Sequence, residues 1–518
     1  MISEDTKYKL MSDFSDFQNI TRKFYNKEIS VAEYKGLSGK FGSYAERGGN
    51  SSMCRWRFEG GRILPDQMKF MSDMIRRYNL GHMHFTMGQS IQFHRLNGET
   101  VLALYEACAE HGIYNRGAGG DNPTNLAASV LRGIDPHETF DISPYVSALS
   151  DYMIEQVPYL KLPRKFKVAI DNGIDDAPHA TMKDFGFHLT ANGTFDVYAC
   201  GGIGPSPQMG IKVGEDVAPV DILYYVKAMF MVFMNYGNYK QHSKARSRFL
   251  PEFMGGQEKF LSVYHETLDM VKEMEQLTIN PADYAVPISK VGAVDDAVLN
   301  YRIGKQKQEG LYYVEYHPAA GFVEVPHFLD ALEYASGLHQ VEMRLTPDQS
   351  VYIINLTADE AREMVKLLPI SAENTFESSI SCVGNTICQI GIQDSNGLLN
   401  SIFRHLKAND VDTSKLPRLY VSGCPHSCGV HQIGTIGFHG SVKMVDKKPQ
   451  PGFALMDGGS DEIGTEQFGK MIATIEAVRI PLFIEELANI LNSNDAVDYA
   501  TWRKEHNDEY MALVEKYN

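Results

Sequence analysis

Four cysteines carry the sharpest chemical signal in the chain. Cys382 and Cys388 have five residues between them, and Cys424 and Cys428 have three. The sequence holds seven cysteines, so more than half fall in one short stretch. Glycines wrap both pairs: Gly384, Gly423 and Gly429. An iron–sulfur cluster needs four thiolates and backbone close enough for amide N–H groups to face sulfur. Glycine allows that approach because it lacks a Cβ. Two other readings stay open on spacing alone. Structural zinc also uses four cysteines, usually in knuckles of about two to four intervening residues, and five is long for that. Four reduced thiols packed in a core are the plainer alternative. A disulfide framework is disfavoured by the odd cysteine count and by the lack of an apolar export leader.

Basic side chains form the second class. Lys165 and Lys167 stand at i and i+2 in Leu162-Pro-Arg-Lys-Phe-Lys-Val-Ala-Ile170, which reads as the start of a strand. Period-two geometry turns their ammonium groups to one side. Such a pair could bind a small anion, offset its charge and donate protons. It could equally guard a sheet edge against aggregation. Arg55 and Arg57 share a strand face by the same rule. His94 with Arg95, Arg164, and the group Lys240, Lys244, Arg246 and Arg248 complete the set. Each of these alone reads as a solvated face.

The elements that must position these residues show an internal repeat. Met53–Phe58 alternates and meets Gly60-Gly61, as a strand and turn. Asp66–Arg77 has helical spacing, His84–Leu96 reads as one strand, and Gly98–Cys108 as a helix. His84–Leu96 aligns without gaps on Arg344–Leu356, matching Thr86 to Thr346, Gln89 to Gln349, Ser90 to Ser350 and Leu96 to Leu356. Gly61 falls on Gly321 at the same offset, and a helical stretch, Ala358–Leu367, follows the second copy. The chain is read as a duplication whose halves each begin with a βαβ-like unit. Residues 1–45 read as a polar helical lead-in, Val217–Tyr236 as an apolar helix, and Val442–Gly459 as a strand with loops.

At 518 residues the chain is too long for one core. Its 43% hydrophobic and 22% charged content is that of a soluble globular protein. No apolar run is long enough to span a bilayer, so no membrane partner is expected. The net charge of −16 argues against nucleic acid as a partner. A cytoplasmic location is expected, where thiols stay reduced.

The spacing Cys382-x5-Cys388, then Gly423-Cys-Pro-His-Ser-Cys-Gly429 and Gln432-Ile-Gly-Thr-Ile-Gly-Phe-His-Gly440, resembles the sirohaem-containing nitrite and sulfite reductases. The resemblance spans most of residues 50–480. It implies an α+β fold: an internally duplicated, three-domain architecture with ferredoxin-like βαβ half-units. Residues 1–115 would hold the N-terminal extension and first half-unit, and 116–310 a first sirohaem-contacting domain. Residues 311–370 would hold the second half-unit, and 371–518 the cluster- and sirohaem-binding domain.

The resemblance also implies cofactors. The four cysteines would hold a [4Fe–4S] cluster, with Cys428 also ligating the sirohaem iron. Arg55, Arg57, Arg95, Arg164, Lys244, Arg246 and Arg248 would meet the carboxylates of the macrocycle, since buried charge must be paired. Gly201–Pro207 resembles a loop packed near it. Lys165 and Lys167 would be catalytic, and a lysine at both positions resembles the sulfite branch. The implied activity is multi-electron reduction of a small oxyanion, sulfite preferred, with ferredoxin or another external one-electron donor.

Two departures stand against this. Gly88 and Thr124 occupy positions where the family carries substrate-binding arginines. Arg95, Arg116 and Arg132 are arginines that could stand in for them. The departures keep two alternatives open: a family member with a different substrate, a tetrapyrrole included, or a non-catalytic haem electron-transfer or sensor subunit.

Overall fold

A computed structural model describes residues 2–174 and 177–518. The chain divides into two compact units. The first comprises Met1–Gly202, Gln208–Glu315 and Val323–Pro369; the second comprises Ile203–Pro207, Tyr316–Phe322 and Ile370–Asn518.

The repeat is visible element by element. The first copy runs strand Ser52–Arg57, helix Pro65–Tyr78, strands Met83–Thr86 and Ser90–Leu96, helix Gly98–Glu110. The second runs strand Tyr312–Tyr316, helix Val325–Ser336, strands Glu342–Leu345 and Val351–Leu356, helix Ala358–Leu367. The backbone repeats more faithfully than the side chains. Gln89 and Gln349 have φ of 50° and 66°, and Arg95 and Asn355 have φ of 59° and 62°. Left-handed backbone is costly for residues other than glycine, so its return at matching positions marks one ancestral design.

Three readings of the sequence need correction. His84–Leu96 is a hairpin rather than one strand, with Met83–Thr86 antiparallel to Ser90–Leu96. Thr86 Oγ1 makes the turn by accepting from Gly88 N and Ser90 N, each at 3.3 Å. Thr346 does the same in the second copy, taking Asp348 N and Ser350 N at 3.0 Å. A side-chain oxygen standing in for a backbone partner leaves no mark on hydrophobic alternation. The apolar helix starts at Ile222, not Val217, which ends the strand Ile211–Val217. Residues 442–459 lie in a long hairpin, Ile436–Val445 with Lys448–Asp457. Asp446 and Lys447 turn it with φ of 49° and 64°, the mirror-image turn that suits strand twist.

The rest of the first unit is a five-stranded sheet ordered Ile211–Val217, Phe195–Ala199, Phe185–Leu189, Val168–Ile170, Ala127–Ala128. Val168, Ala169 and Ile170 are all buried, as expected of a short parallel strand covered on both faces. The second unit is built on the sheet Ile380–Ser381, Leu419–Ser422, Ile436–Val445, Lys448–Asp457, Lys470–Glu476. Helices Ser395–Ala408, Ile480–Asn492 and Asn507–Tyr517 close its core. Among the described residues no helix is long and apolar enough to cross a membrane.

Candidate active site

The second unit brings the four cysteines together at the ends of two parallel strands. Cys382 follows Ile380–Ser381, and its N–H donates to Val421 O at 3.1 Å. Cys424 follows Leu419–Ser422 one residue later. Between these pairs the chain folds tightly: Cys388 N donates to Gly384 O at 2.9 Å, and Gly423 O accepts from both Ile392 N and Gln393 N at 2.9 Å. Gly423 N points at sulfur and donates to Cys382 Sγ at 3.1 Å. Burial pushes the Cys382 thiol up to about 11, and the nearby Cys428 thiol adds to the shift. Burial likewise raises Cys424, with smaller contributions from Cys428 and Cys388. Cys428 thus lies within electrostatic reach of Cys382 and Cys424, and Cys388 within reach of Cys424. Cys428 is the exposed member.

Among the described residues no three His, Cys, Asp or Glu side chains close around one point as ligands of a single ion would. The glycines explain how backbone reaches the site. A Cβ on Gly423 would lie 2.7 Å from Gln393 O and 3.3 Å from Gly384 Cα. We therefore expect Gly423→Ala to cost about 1–3 kcal/mol through overpacking, and to lower the iron content of purified protein. Wild-type iron content in that variant would show that close backbone approach is not needed.

The loop Gly201–Pro207 is split by the division of the chain, and Ile203–Pro207 belongs to the cysteine-bearing unit. Gln432 fastens it there: Gly204 N donates to Gln432 Oε1 at 2.7 Å, and Gln432 Nε2 donates back to Gly204 O at 3.0 Å. Gln432 lies in the stretch that the motif comparison singled out, though its partner was not foreseeable.

In the first unit, Lys165 and Lys167 are half-buried and flank Phe166, which is fully buried. Phe166 anchors this segment. Its N–H donates to Asn122 O at 3.0 Å and its carbonyl accepts from Thr124 N at 2.8 Å. Asn125 Nδ2 in turn donates to Gly88 O at 3.1 Å and Gln89 O at 2.9 Å. Four positions far apart in sequence, Gly88, Thr124, Lys165 and Lys167, are therefore tied into one neighbourhood. Gly88 is exposed, and a Cβ there would meet only Thr86 Oγ1 at 3.7 Å.

Lys165 and Lys167 precede the strand, which starts only at Val168, and Asp184, missed by sequence reading, holds their segment in place. Asp184 is fully buried. Its Oδ2 accepts from Lys167 N at 2.9 Å and from Arg246 Nη2 at 2.7 Å, and Ser247 Oγ donates to Oδ1. Burial would raise this carboxyl, but Arg246, Ser247 and the Lys167 amide outweigh it and hold the group below its ordinary range.

The expected sirohaem contacts fall into two sets. Arg246 pairs with Asp184, and Arg248 is buried beside it, pushed down to about 10 by burial. Arg55 Nη1 donates to Ala118 O at 2.6 Å. Arg57 is buried with Nη1 unpartnered among the described residues, and burial lowers it to about 10. It shares a cavity of about 100 Å³ with Asn125, whose Oδ1 also lacks a partner. These buried donors fit a group rich in carboxylates. The other three are engaged elsewhere or lie at the surface. Arg164 pairs with Asp121 at 2.9 Å, Arg95 meets His82 Nε2 at 3.0 Å, and Lys244 is exposed over Phe249. Nor do the candidate substitutes for the missing arginines gather at the lysines. Arg116 binds Lys40 O and Asp13. Arg132 turns into a separate cavity with Arg62 and Arg344.

Comparison with known proteins points to a family. Residues 44–111 match the nitrite/sulfite reductase ferredoxin-like half domain, and residues 119–272 match the nitrite and sulphite reductase 4Fe-4S domain. These matches support a member of the nitrite and sulfite reductase family. It is 24% identical to the ferredoxin–nitrite reductase of Leptolyngbya laminosa, over 80% of this chain and 82% of that protein. It is 23% identical to sulfite reductase [ferredoxin] 1 of Mycolicibacterium paratuberculosis, over 89% and 83%. Its fold is that of the Mycobacterium tuberculosis NirA protein, with a TM-score of 0.78 and 21% identity over 97% and 95% of the two chains. The matches imply an oxidoreductase with a [4Fe–4S] cluster and sirohaem.

Proposed function

We propose that this chain reduces a small oxyanion, sulfite in preference to nitrite, with electrons from ferredoxin or a similar one-electron donor. Relatives of both substrate types are named as ferredoxin-dependent, which supports the donor. The gathering of the two lysines that flank Phe166 beside Gly88 and Thr124 carries the reading of the substrate end. Cys382, Cys388, Cys424 and Cys428 would hold the cluster, and the exposed Cys428 is the thiolate to share with sirohaem. The bound cofactors supply electrons and an iron site for the anion. The chain's own residues supply charge, protons and shape. The two ammonium groups would attract the anion and stabilise the charge that builds on its oxygens. They would also hand over the protons that each reduction consumes. Asp184 positions Lys167 without touching substrate. Steady-state turnover with reduced methyl viologen tests this reading. Sulfite should support a higher kcat/KM than nitrite, and Lys167→Asn should narrow that preference. Turnover of neither anion by cofactor-replete protein would end it.

Asp184 gives a pH prediction. Its folded pKa is depressed, so its stabilisation is present above the unfolded carboxylate pKa of about 3.9 and is lost as pH falls through the folded value. Removing the charge from a buried pair costs about 3–5 kcal/mol. Asp184→Asn should therefore be destabilised by that order at pH 7, and the gap to wild type should close in acid. Thermal unfolding across pH 3–7 checks it, and an equal gap throughout would contradict the assignment.

A further inference from the structure

The first unit contains a basic cavity that the lysine site does not use. It has a volume of about 340 Å³ and is lined by Arg62, Arg132 and Arg344, and by the apolar Leu64, Val286 and Ile288. The three arginines are not alike. Arg62 Nε meets Glu342 Oε2 at 2.7 Å, and Arg344 Nη2 meets Glu342 Oε1 at 2.6 Å. Arg62 also lies 3.6 Å from Glu59. Arg132 has no carboxylate partner among the described residues, although only 2% of it is exposed. Its one hydrogen bond runs from Nη1 to Ser129 O at 2.9 Å. Asp141 also lines the cavity, but its Oδ1 accepts from Ser143 N at 2.8 Å.

The chain makes room for this unpaired cation. Gly60 has φ of 49°, and a Cβ there would sit 3.1 Å from Arg132 Nη2. Burial pushes Arg132 down to about 9, with Arg344 and Arg62 adding to the shift and Glu342 and Glu59 opposing it. Neither carboxylate pairs with the guanidinium directly, and a buried charge without a direct partner is costly. Among the described residues its Nε and Nη2 donate no hydrogen bond, and that side of the planar fork matches a carboxylate. A bare inorganic anion would leave the apolar wall unfilled. The cavity volume lies in the range of small-molecule sites, about 300–1,000 Å³. Val286 is 65% exposed, so this wall stands at the surface where a ligand can enter.

We propose that this cavity binds a small organic carboxylate, with the carboxylate on Arg132 and the apolar body against Leu64, Val286 and Ile288. The site is separate from the lysine pair and does not depend on the proposed reaction. Benzoate is a suitable probe, with acetate and inorganic phosphate as comparisons, on the full-length holoprotein. In thermal unfolding, benzoate at about ten times its Kd should raise Tm by roughly 2 °C. Acetate and phosphate at the same concentration should do less. Arg132→Met should abolish the benzoate shift while leaving the unliganded Tm at or above that of wild type, because a buried unpaired charge has gone. Val286→Glu changes only an exposed position and should weaken benzoate about tenfold in calorimetric titration, with an unchanged unliganded Tm. The proposal is overturned if benzoate neither binds nor stabilises wild type. It is also overturned if phosphate matches benzoate, or if Val286→Glu binds benzoate as wild type does.

Discussion

Cys428→Ser should lower turnover by at least about 100-fold and strip the protein of its visible haem bands. Changes in groups that merely support a metal's ligands cost about 10–100-fold, and Cys428 is proposed as a ligand itself. Serine's hydroxyl is a poor ligand for iron at neutral pH, and no nearby cysteine can replace it. The other free cysteines, Cys54, Cys108 and Cys200, are all buried in the first unit. Cys382→Ser should lose the cluster as well, because its sulfur accepts from Gly423 N at the centre of the glycine cradle. An unchanged optical spectrum with wild-type turnover in Cys428→Ser would show that the bridge is assigned to the wrong residue.

Gly88→Arg with Thr124→Arg should tighten sulfite binding by some two to four decades. Two charge-assisted hydrogen bonds at about 1.5–3 kcal/mol each give that range. The structure has room for the change. Gly88 lacks a left-handed φ, is exposed, and its Cβ would touch nothing closer than 3.7 Å. Thr124 is half-buried and is held through its backbone, which an arginine keeps. Both positions are tied to the Lys165–Lys167 segment through Phe166 and Asn125. Titration of the reduced protein with sulfite, followed in the sirohaem bands, reads the effect. Micromolar sulfite binding by the unmodified protein would show that its own residues already complete the clamp.

The cysteine motifs were legible because a cluster held by them would set their spacing along the chain. The duplication was legible too, from Thr86 and Gln89 with their partners Thr346 and Gln349. What alignment could not show was the backbone shape those residues share, a hairpin turn with a left-handed glutamine. Asp184 escaped notice for a different reason. Its partners lie 17 and 62 residues away, and a lone aspartate before a strand carries no pattern. The basic residues show the limit most plainly. Arginine is common at surfaces and in buried networks alike, so Arg132 seemed a substitute for the missing clamp. Packing sends it instead into a cavity beside Arg344. Arg164 and Arg95 read as cofactor contacts, yet Asp121 and His82 engage them.

Anaerobic purification followed by iron and acid-labile sulfide analysis tests the central claim most directly. The four-cysteine cradle of the second unit should yield about four cluster irons with their sulfides and one haem iron per chain. The same sample should show sirohaem bands. Stoichiometric zinc with neither sulfide nor haem colour would contradict the account.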